Sequence, residues 1–387
     1  MSTHTGGSIM SADRFQYRVG HGGFHSTIVE SASGFLTYVY DVGAHPSKAT
    51  LRTAILAFVA ELRDRLIRRV DYVFISHIDQ DHVNGITELL DSLKADGVHV
   101  ETVVLPWLSP VEKLLTQTRS SHRQNGTAVA RLADSDAEAD TYLRDHGVKE
   151  VVRVVGDNQS GSTDGAGSPG RPQMTTGAPL PCTSAGGWKL IPLKLTPPIA
   201  AIDKFHDEVR ANTPFDPDDV RTHEDLLRSH RGAIRGAMRT AAELVPGVSS
   251  REVTNWSSMA LYGGAGAGAV TGLGGCSIAN NVDDVRLQCT HGWLHTGDLP
   301  LGAVSPWREF QRQMSAASLV PPMCVLVAPH HGSHISNRGD LYVVTKPKYV
   351  LLTTGRTSGG KVVKGIKTGD AVKDAGKAGA TLVELHN

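Results

Sequence analysis

The stretch from Tyr72 to Leu90, YVFISHIDQDHVNGITELL, constrains this chain more than any other. Tyr72-Val73-Phe74-Ile75 is a short apolar run rich in β-formers, which predicts a buried strand. The run drops directly into Ser76-His77-Ile78-Asp79-Gln80-Asp81-His82, where histidines and carboxylates crowd together. Gly85 follows, and Ile86, Leu89 and Leu90 have the spacing of a helix face. A polar turn between a strand and a helix lies at the strand's carboxyl end, where open α/β sheets build their sites. Alternate positions of an extended loop point the same way, so His77, Asp79 and Asp81 converge. Carboxylates held close repel one another unless a cation lies between them, and a divalent ion supplies that charge.

Further on, two more polar clusters follow apolar strands. Leu294-His295-Thr296-Gly297-Asp298 closes a run that starts near Val285, and His330-His331-Gly332-Ser333-His334 caps the run Met323 to Pro329. A lone Gly-Asp is ordinarily a turn, and a histidine pair is ordinarily a surface or capping feature. Their shared strand-end position links them to the first cluster.

The remaining chain reads as alternating strands and helices with insertions. Residues 15–43 predict a β-meander, with Gly20-His21-Gly22-Gly23 as its first tight turn. Apolar residues at Leu51, Ile55, Phe58, Val59, Leu62 and Leu66 predict an amphipathic helix over 50–69. Strands are expected at 100–105, 151–155, 188–195, 255–262, 323–329, 348–353 and near the C-terminus, with helices over 111–147 and 369–378. Residues 157–187 are crowded with Gly, Ser, Thr and Pro and read as a flexible loop. Residues 202–250 read as a polar helical insertion, and 263–290 as a Gly-rich hairpin insertion. The glycines of that last segment fit neither GxxxxGK[ST] nor GxGxxG leading from a strand into a helix, which excludes a phosphate cradle. Arg228, Arg231, Arg235 and Arg239 recur at spacings of three and four, sharing one helix face. A solvated face is the plain reading, and a nucleic-acid contact stripe the sharper one.

Composition narrows the function classes. Lys+Arg 39 balance Asp+Glu 39, so no global field draws the protein to nucleic acid. The four cysteines form no CxxC pair, which argues against a zinc ribbon and fits a reducing compartment. The N-terminus lacks an apolar h-region, and no run approaches membrane-spanning length. A cytoplasmic protein without membrane contact is expected.

The ordered set HxDxDH, Asn-x-Ser-Ser, GD and PHHGS resembles the metallo-β-lactamase-fold hydrolases. It is most similar to the branch typified by the C-terminal hydrolase domain of the DNA-uptake protein ComEC. VGHGG and YDVGA, which precede the set, stand where that branch has VGQGD and DGG or DVG. The resemblance runs from about Phe15 to about Arg356 and leaves the insertions outside it. It implies an α+β fold: a four-layer αβ/βα sandwich of two facing mixed β-sheets, here with several insertions, in one domain spanning 13–387. Carried over by position, His77 and Asp79 face one metal, Asp81 and His82 the second, and Asp298 bridges them. The HHG turn supplies the last ligand, with His331 favoured over His330. Asp79 stands where the commoner pattern has histidine. No histidine precedes Asn255, which takes that place as a weak ligand.

The implied cofactor is one or two divalent ions, Zn2+ or Mn2+, the extra carboxylate leaning toward Mn2+. The implied chemistry is hydrolysis by a metal-activated water, most fittingly of a phosphodiester and as a nuclease on DNA. Asp81 would orient the nucleophile, and His330 or His295 would protonate the leaving oxygen, with His21 and His25 as further candidates. A small-molecule phosphodiester or ester hydrolase is the first alternative. A regulatory subunit of a multi-protein complex, with a mainly structural metal site and a partner encoded nearby, is the second.

Overall fold

A computed structural model describes residues 9–45, 48–120, 128–157, 172–214, 229–248, 252–265, 276–281, 283–319, 323–353 and 369–385. The strands are β1 (Ile9–Tyr17), β2 (Phe24–Ser31), β3 (Gly34–Val42), β4 (Arg69–Phe74), β5 (His99–Pro106), β6 (Val148–Val155), β7 (Gln173–Thr175), β8 (Trp188–Lys194), β9 (Met259–Ala265), β10 (Ser277–Asn280), β11 (Asp284–Gln288), β12 (Trp293–His295), β13 (Val325–Val327), β14 (Tyr349–Leu352) and β15 (Thr381–Glu384). The helices are α1 (Lys48–Asp64), α2 (Gln80–Val83), α3 (Ile86–Ala95), α4 (Pro110–Ser120), α5 (Ala128–Ala133), α6 (Asp136–Asp145), α7 (Ile199–Asn212), α8 (Arg231–Glu243), α9 (Val304–Ala316), α10 (Gly339–Thr345) and α11 (Gly369–Lys377).

Two mixed sheets face each other. The first runs β10-β11-β1-β2-β3-β4-β5-β6-β7, and the second β15-β14-β13-β12-β9-β8. Strand period explains the layering. On β3, Leu36, Tyr38 and Tyr40 point inward and pack with Trp188, Leu190, Met259 and Leu261 of the second sheet. Val39 of the same strand points outward, under the α1 residues Leu51, Ile55, Phe58 and Leu62, and Val42 joins it because the left-handed Asp41 (φ 57°) breaks the alternation. A second outer layer buries Trp307, Phe310 and Met314 of α9 against Leu294, Leu326 and Val350. Helix, sheet, sheet and helix make the four layers of the expected α+β sandwich.

The structure corrects several local expectations. The helix read over 50–69 ends at Asp64. Leu66 adopts φ 56° and is 77% exposed, while Ile67 donates back to the Leu62 carbonyl and turns into the core. Within 255–262, Thr254–Ser257 is a 3-10 turn, and the strand starts only at Met259. The Gly-rich segment does not join two arms of one hairpin, because β9 lies in the second sheet and β10 in the first. The hairpin is instead β10–β11. The run 285–293 likewise divides between the sheets as β11 and β12. The loop read over 157–187 contains β7, which pairs in parallel with β6, while residues 158–171 lie outside the described residues. Among the described residues, no helix is long and apolar enough to cross a membrane.

Candidate metal centre

The 76–82 loop leaves β4 and threads between two turns of the meander. Its path requires glycine at Gly22 and Gly43. A Cβ on Gly43 would lie 2.3 Å from the Asp81 carbonyl and the His82 nitrogen. One on Gly22 would lie 2.8 Å from the Asp81 oxygen. Removing both side chains lets the Gly23 amide donate to the Asp81 carbonyl at 3.1 Å, which fixes the loop. The glycines of GHGG and DVG therefore seat the acidic loop. Asp79 is the N-cap residue of α2, but its side chain does not cap the helix. Its carboxylate lies 3.6 Å from His77 Nε2.

Asp298 arrives from the end of β12 and stands between two groups of side chains. Its Oδ2 is 3.7 Å from His77 Nε2 and 3.6 Å from His330 Nε2. Its Oδ1 is 3.3 Å from His82 Nε2 and 3.6 Å from His331 Nε2. Asp81 Oδ2 lies 3.3 Å from both His331 Nε2 and His21 Nε2. The turn after β13 delivers the two histidines at a conformational cost. His330 and His331 are consecutive left-handed residues, with φ 49° and 55°. Such backbone costs on the order of 1–3 kcal/mol per residue and persists where the surroundings enforce it. The structure thus gathers His77, Asp79, Asp81, His82, Asp298, His330 and His331. It adds His21, which the sequence offered only as a proton carrier.

The donor set fits divalent cations. The Nε2 atoms of His77, His82 and His331 are buried and without a hydrogen bond. Each such buried group costs about 1–3 kcal/mol unless something fills the space it faces. All three face carboxylate oxygens. Burial works against ionisation of Asp298, but His330, His82 and His331 outweigh it and hold the carboxyl well below its ordinary range. Burial likewise disfavours the charge on Asp81, and His82, His331 and His21 override it. Burial lowers the His330 imidazole below its ordinary value and takes His21 down to about 3. Burial disfavours a charge on His82, but Asp298, Asp41 and Asp81 outweigh it and hold its imidazole well above the ordinary value, so a divalent ion would displace that proton on binding. The ligand atoms of His77, His82 and Asp298 lie within 4.8 Å of one another, and so do those of His21, Asp81 and His331, so each group could hold a cation.

Sequence reasoning missed Asp41, at the end of β3. Its Oδ1 accepts the Ser76 amide and its Oδ2 the Ser76 hydroxyl, both at 2.7 Å. The same Oδ2 lies 2.8 Å from His82 Nδ1, so His82 donates there and turns Nε2 toward Asp298. Thr353 Oγ1 contacts His331 Nδ1 at 2.9 Å, and Ser336 Oγ contacts His330 Nδ1 at 3.1 Å. The only signal for Asp41 was the DVG turn. Replacing Asp41 by asparagine is expected to weaken divalent-ion affinity by about 10–100-fold, measured by competition with a metallochromic chelator. Unchanged affinity would show that Asp41 does not orient His82.

Other predicted residues fall elsewhere. His295 is 3% exposed and stacks on Tyr40 at 4.4 Å and near His25 at 4.2 Å, behind the cluster. Burial, reinforced by Arg14, holds its imidazole well below the ordinary value, so it does not suit a proton donor. His25 is equally enclosed, with Nε2 on Thr27 Oγ1 at 2.8 Å. Asn255 does not stand alone in place of a histidine: its Nδ2 lies 3.5 Å from His330 Nδ1. Arg235 and Arg239 are exposed, opposite the buried Ile234, Met238 and Ala241 of α8, and Arg231 is half-buried. Arg228 lies outside the described residues.

Residues 25–186 match the profile of the metallo-beta-lactamase superfamily. The metallo-beta-lactamase match covers the strands and loop that carry His77, Asp79, Asp81 and His82, and stops before Asp298 and His331. Among solved structures, the metallo-beta-lactamase fold protein YhfI from Bacillus subtilis is similar at 10% identity and a TM-score of 0.41, over 97% of this chain and 96% of that one. A long form RNase Z from yeast is similar at 8% identity and a TM-score of 0.33, over 82% of this chain and 32% of that one. No curated protein matches the chain.

Proposed function

We propose that this chain is a metal-dependent hydrolase of phosphodiesters, with nucleic acid as the favoured substrate, near the ComEC-type branch. The observation that carries the reading is the convergence of ionised carboxylates and unpartnered imidazole nitrogens on Asp298. When bound, divalent ions would supply Lewis acidity to a water and to an anionic phosphoryl oxygen. The protein's own groups do the rest. Asp81, kept ionised by three imidazoles, orients the attacking water. Asp41 fixes the tautomer of His82, and Thr353 holds the His331 ring in place. His330, with Nε2 toward Asp298 and its ring against Asn255, replaces the missing family histidine as a ligand and is not the leaving-group acid. The carboxylate-rich set supports a hard cation such as Mn2+, with Zn2+ the other choice.

One observation favours the small-molecule alternative. Leu114, Phe205, Val209, Ile234 and Met238 of α4, α7 and α8 form an apolar cluster that Val253 joins. Val253 immediately precedes the turn carrying Asn255, so the inserted helices wall the site on that side. The deciding experiment incubates the protein with single-stranded DNA, duplex DNA and bis(p-nitrophenyl) phosphate in Mn2+ or Zn2+. DNA cleavage that EDTA and Asp81→Ala both abolish is expected. Turnover of the small ester alone would select the walled site. No turnover of any substrate by metal-loaded protein would overturn the proposal and leave the structural-metal reading.

A further inference from the structure

Three cysteines and a histidine from four strand ends of the two sheets meet at one place. Cys276 precedes β10, Cys289 follows β11, His291 precedes β12 and Cys324 precedes β13. The Cys324 sulfur lies 2.6 Å from that of Cys276. His291 Nδ1 lies 3.5 Å from the Cys276 sulfur and 3.4 Å from the Cys289 sulfur. The ligand atoms of the three cysteines all lie within 4.8 Å of one another.

The structure joins Cys276 to Cys289 in a disulfide. That bond engages two sulfurs and gives no account of the other two groups. The Cys324 sulfur is in direct contact with that of Cys276, so a third sulfur converges on the pair. An imidazole nitrogen facing the pair gains little from a disulfide. A tetrahedral cation uses all four donors, and three cysteines with one histidine are a common structural zinc set.

Arg14 supplies an independent observation. Its side chain is fully buried, and its guanidinium donates to the carbonyls of Cys289, Gly263 and His291 at 3.1, 3.1 and 2.7 Å. Among the described residues, no carboxylate pairs with it. A buried charge without a counter-charge is costly. A dication held by three thiolates and a neutral imidazole carries one net negative charge beside it. Lys348 adds a second cation at the same place, donating to the Cys276 carbonyl at 3.1 Å.

We propose that Cys276, Cys289, His291 and Cys324 form a structural zinc site, separate from the Asp298 cluster, that pins the β10–β11 hairpin of the first sheet to β12 and β13 of the second. Starting from the disulfide, a thiol reductant supplies the two electrons and two protons that open Cys276–Cys289 and leaves as its own disulfide; each of the three thiols then surrenders its proton to solvent on ligation.

The test is Co2+ substitution in the full-length protein, purified under reducing conditions. A thiolate-to-cobalt charge-transfer band in the near ultraviolet is expected. The band should vanish in Cys324→Ser and persist in Cys182→Ser and Asp298→Ala. A wild-type measurement needs no variant to fold: titrating zinc-loaded protein with an organomercurial should consume four thiols, Cys182 among them, and release one zinc with the three of the cluster. Absence of the band, or a band unchanged by Cys324→Ser, would overturn the proposal. So would Cys276 and Cys289 recovered as a linked peptide pair from denatured, alkylated protein that has met no reductant at any stage.

Discussion

Asp298→Ala is expected to lower divalent-ion occupancy of the His/Asp cluster and to reduce hydrolysis by on the order of 100-fold or more. The magnitude follows from position. Outer partners of metal ligands typically account for about 10–100-fold in affinity or activity. Asp298 is no outer partner: each of its oxygens faces imidazoles on a different side of the site. Its loss also strands buried nitrogens. His77, His82 and His331 would face the vacated space without the carboxylate that now balances them. The check is metal content by mass spectrometry beside a turnover assay, with circular dichroism as the folding control. Unchanged occupancy in a folded variant would remove the bridging role. The Cys276–Cys289–His291–Cys324 cluster does not depend on Asp298, so a cobalt–thiolate band surviving in this variant separates the two centres.

Legibility in the sequence tracked locality. The strand–loop–helix unit around His77 was readable because its signal lies within a few residues: a β-rich apolar run, clustered donors, then helical spacing. The outer helices were readable from periodicity, although α1 ends early where Leu66 enters the left-handed region. The assignment of strands to sheets was not readable. Nothing local says that β9 and β10, separated by glycines, belong to different sheets. Asp41 was hidden for a related reason: its partner His82 comes from another strand end, and a lone Asp before Val-Gly reads as a turn. The spacing of the cysteines misled most. Without a CxxC pair, Cys276, Cys289 and Cys324 gave no ribbon signature, yet strand pairing brings them together with His291. Arg14 offered no clue either, since only the fold shows its guanidinium among carbonyls.

Breaking the ion pair between Lys194 and Glu112 should cost about 3–5 kcal/mol of stability, because removing one partner leaves the other buried and uncompensated. The side chains are 0% and 3% exposed, and Lys194 Nζ lies 3.2 Å from Glu112 Oε1. Surface pairs contribute little by comparison. Glu112 has a second duty. Its Oε2 accepts the Ser109 amide at 2.8 Å, while its own amide donates to Ser109 Oγ at 3.3 Å, a reciprocal cap on α4. Glu112→Ala therefore loses the pair and the cap together, the cap adding about 1 kcal/mol. Lys194→Met loses the pair and the Nζ donation to the Leu195 carbonyl at 3.4 Å, but keeps the cap. Its backbone remains fixed, since Gln313 donates to the Lys194 carbonyl at 2.9 Å and Thr176 Oγ1 accepts its amide at 2.8 Å. The double variant Lys194→Met/Glu112→Leu should recover much of the loss, since apolar side chains of similar volume replace the charges. Urea unfolding of these variants together with Glu112→Leu closes the cycle, a shifted midpoint at constant slope being the expected form. Single variants within about 1 kcal/mol of wild type would show that the pair is solvated in practice. The functional consequence follows from where α4 sits. Leu114 on α4 packs into the cluster that Val253 joins, beside the turn bearing Asn255. A folded Lys194→Met protein should keep its metal affinity, because none of the His/Asp cluster contacts Lys194 in the bonds that fix it. Its KM should rise more than its kcat falls if the inserted helices shape the groove, and both should be unchanged if substrate enters from another side.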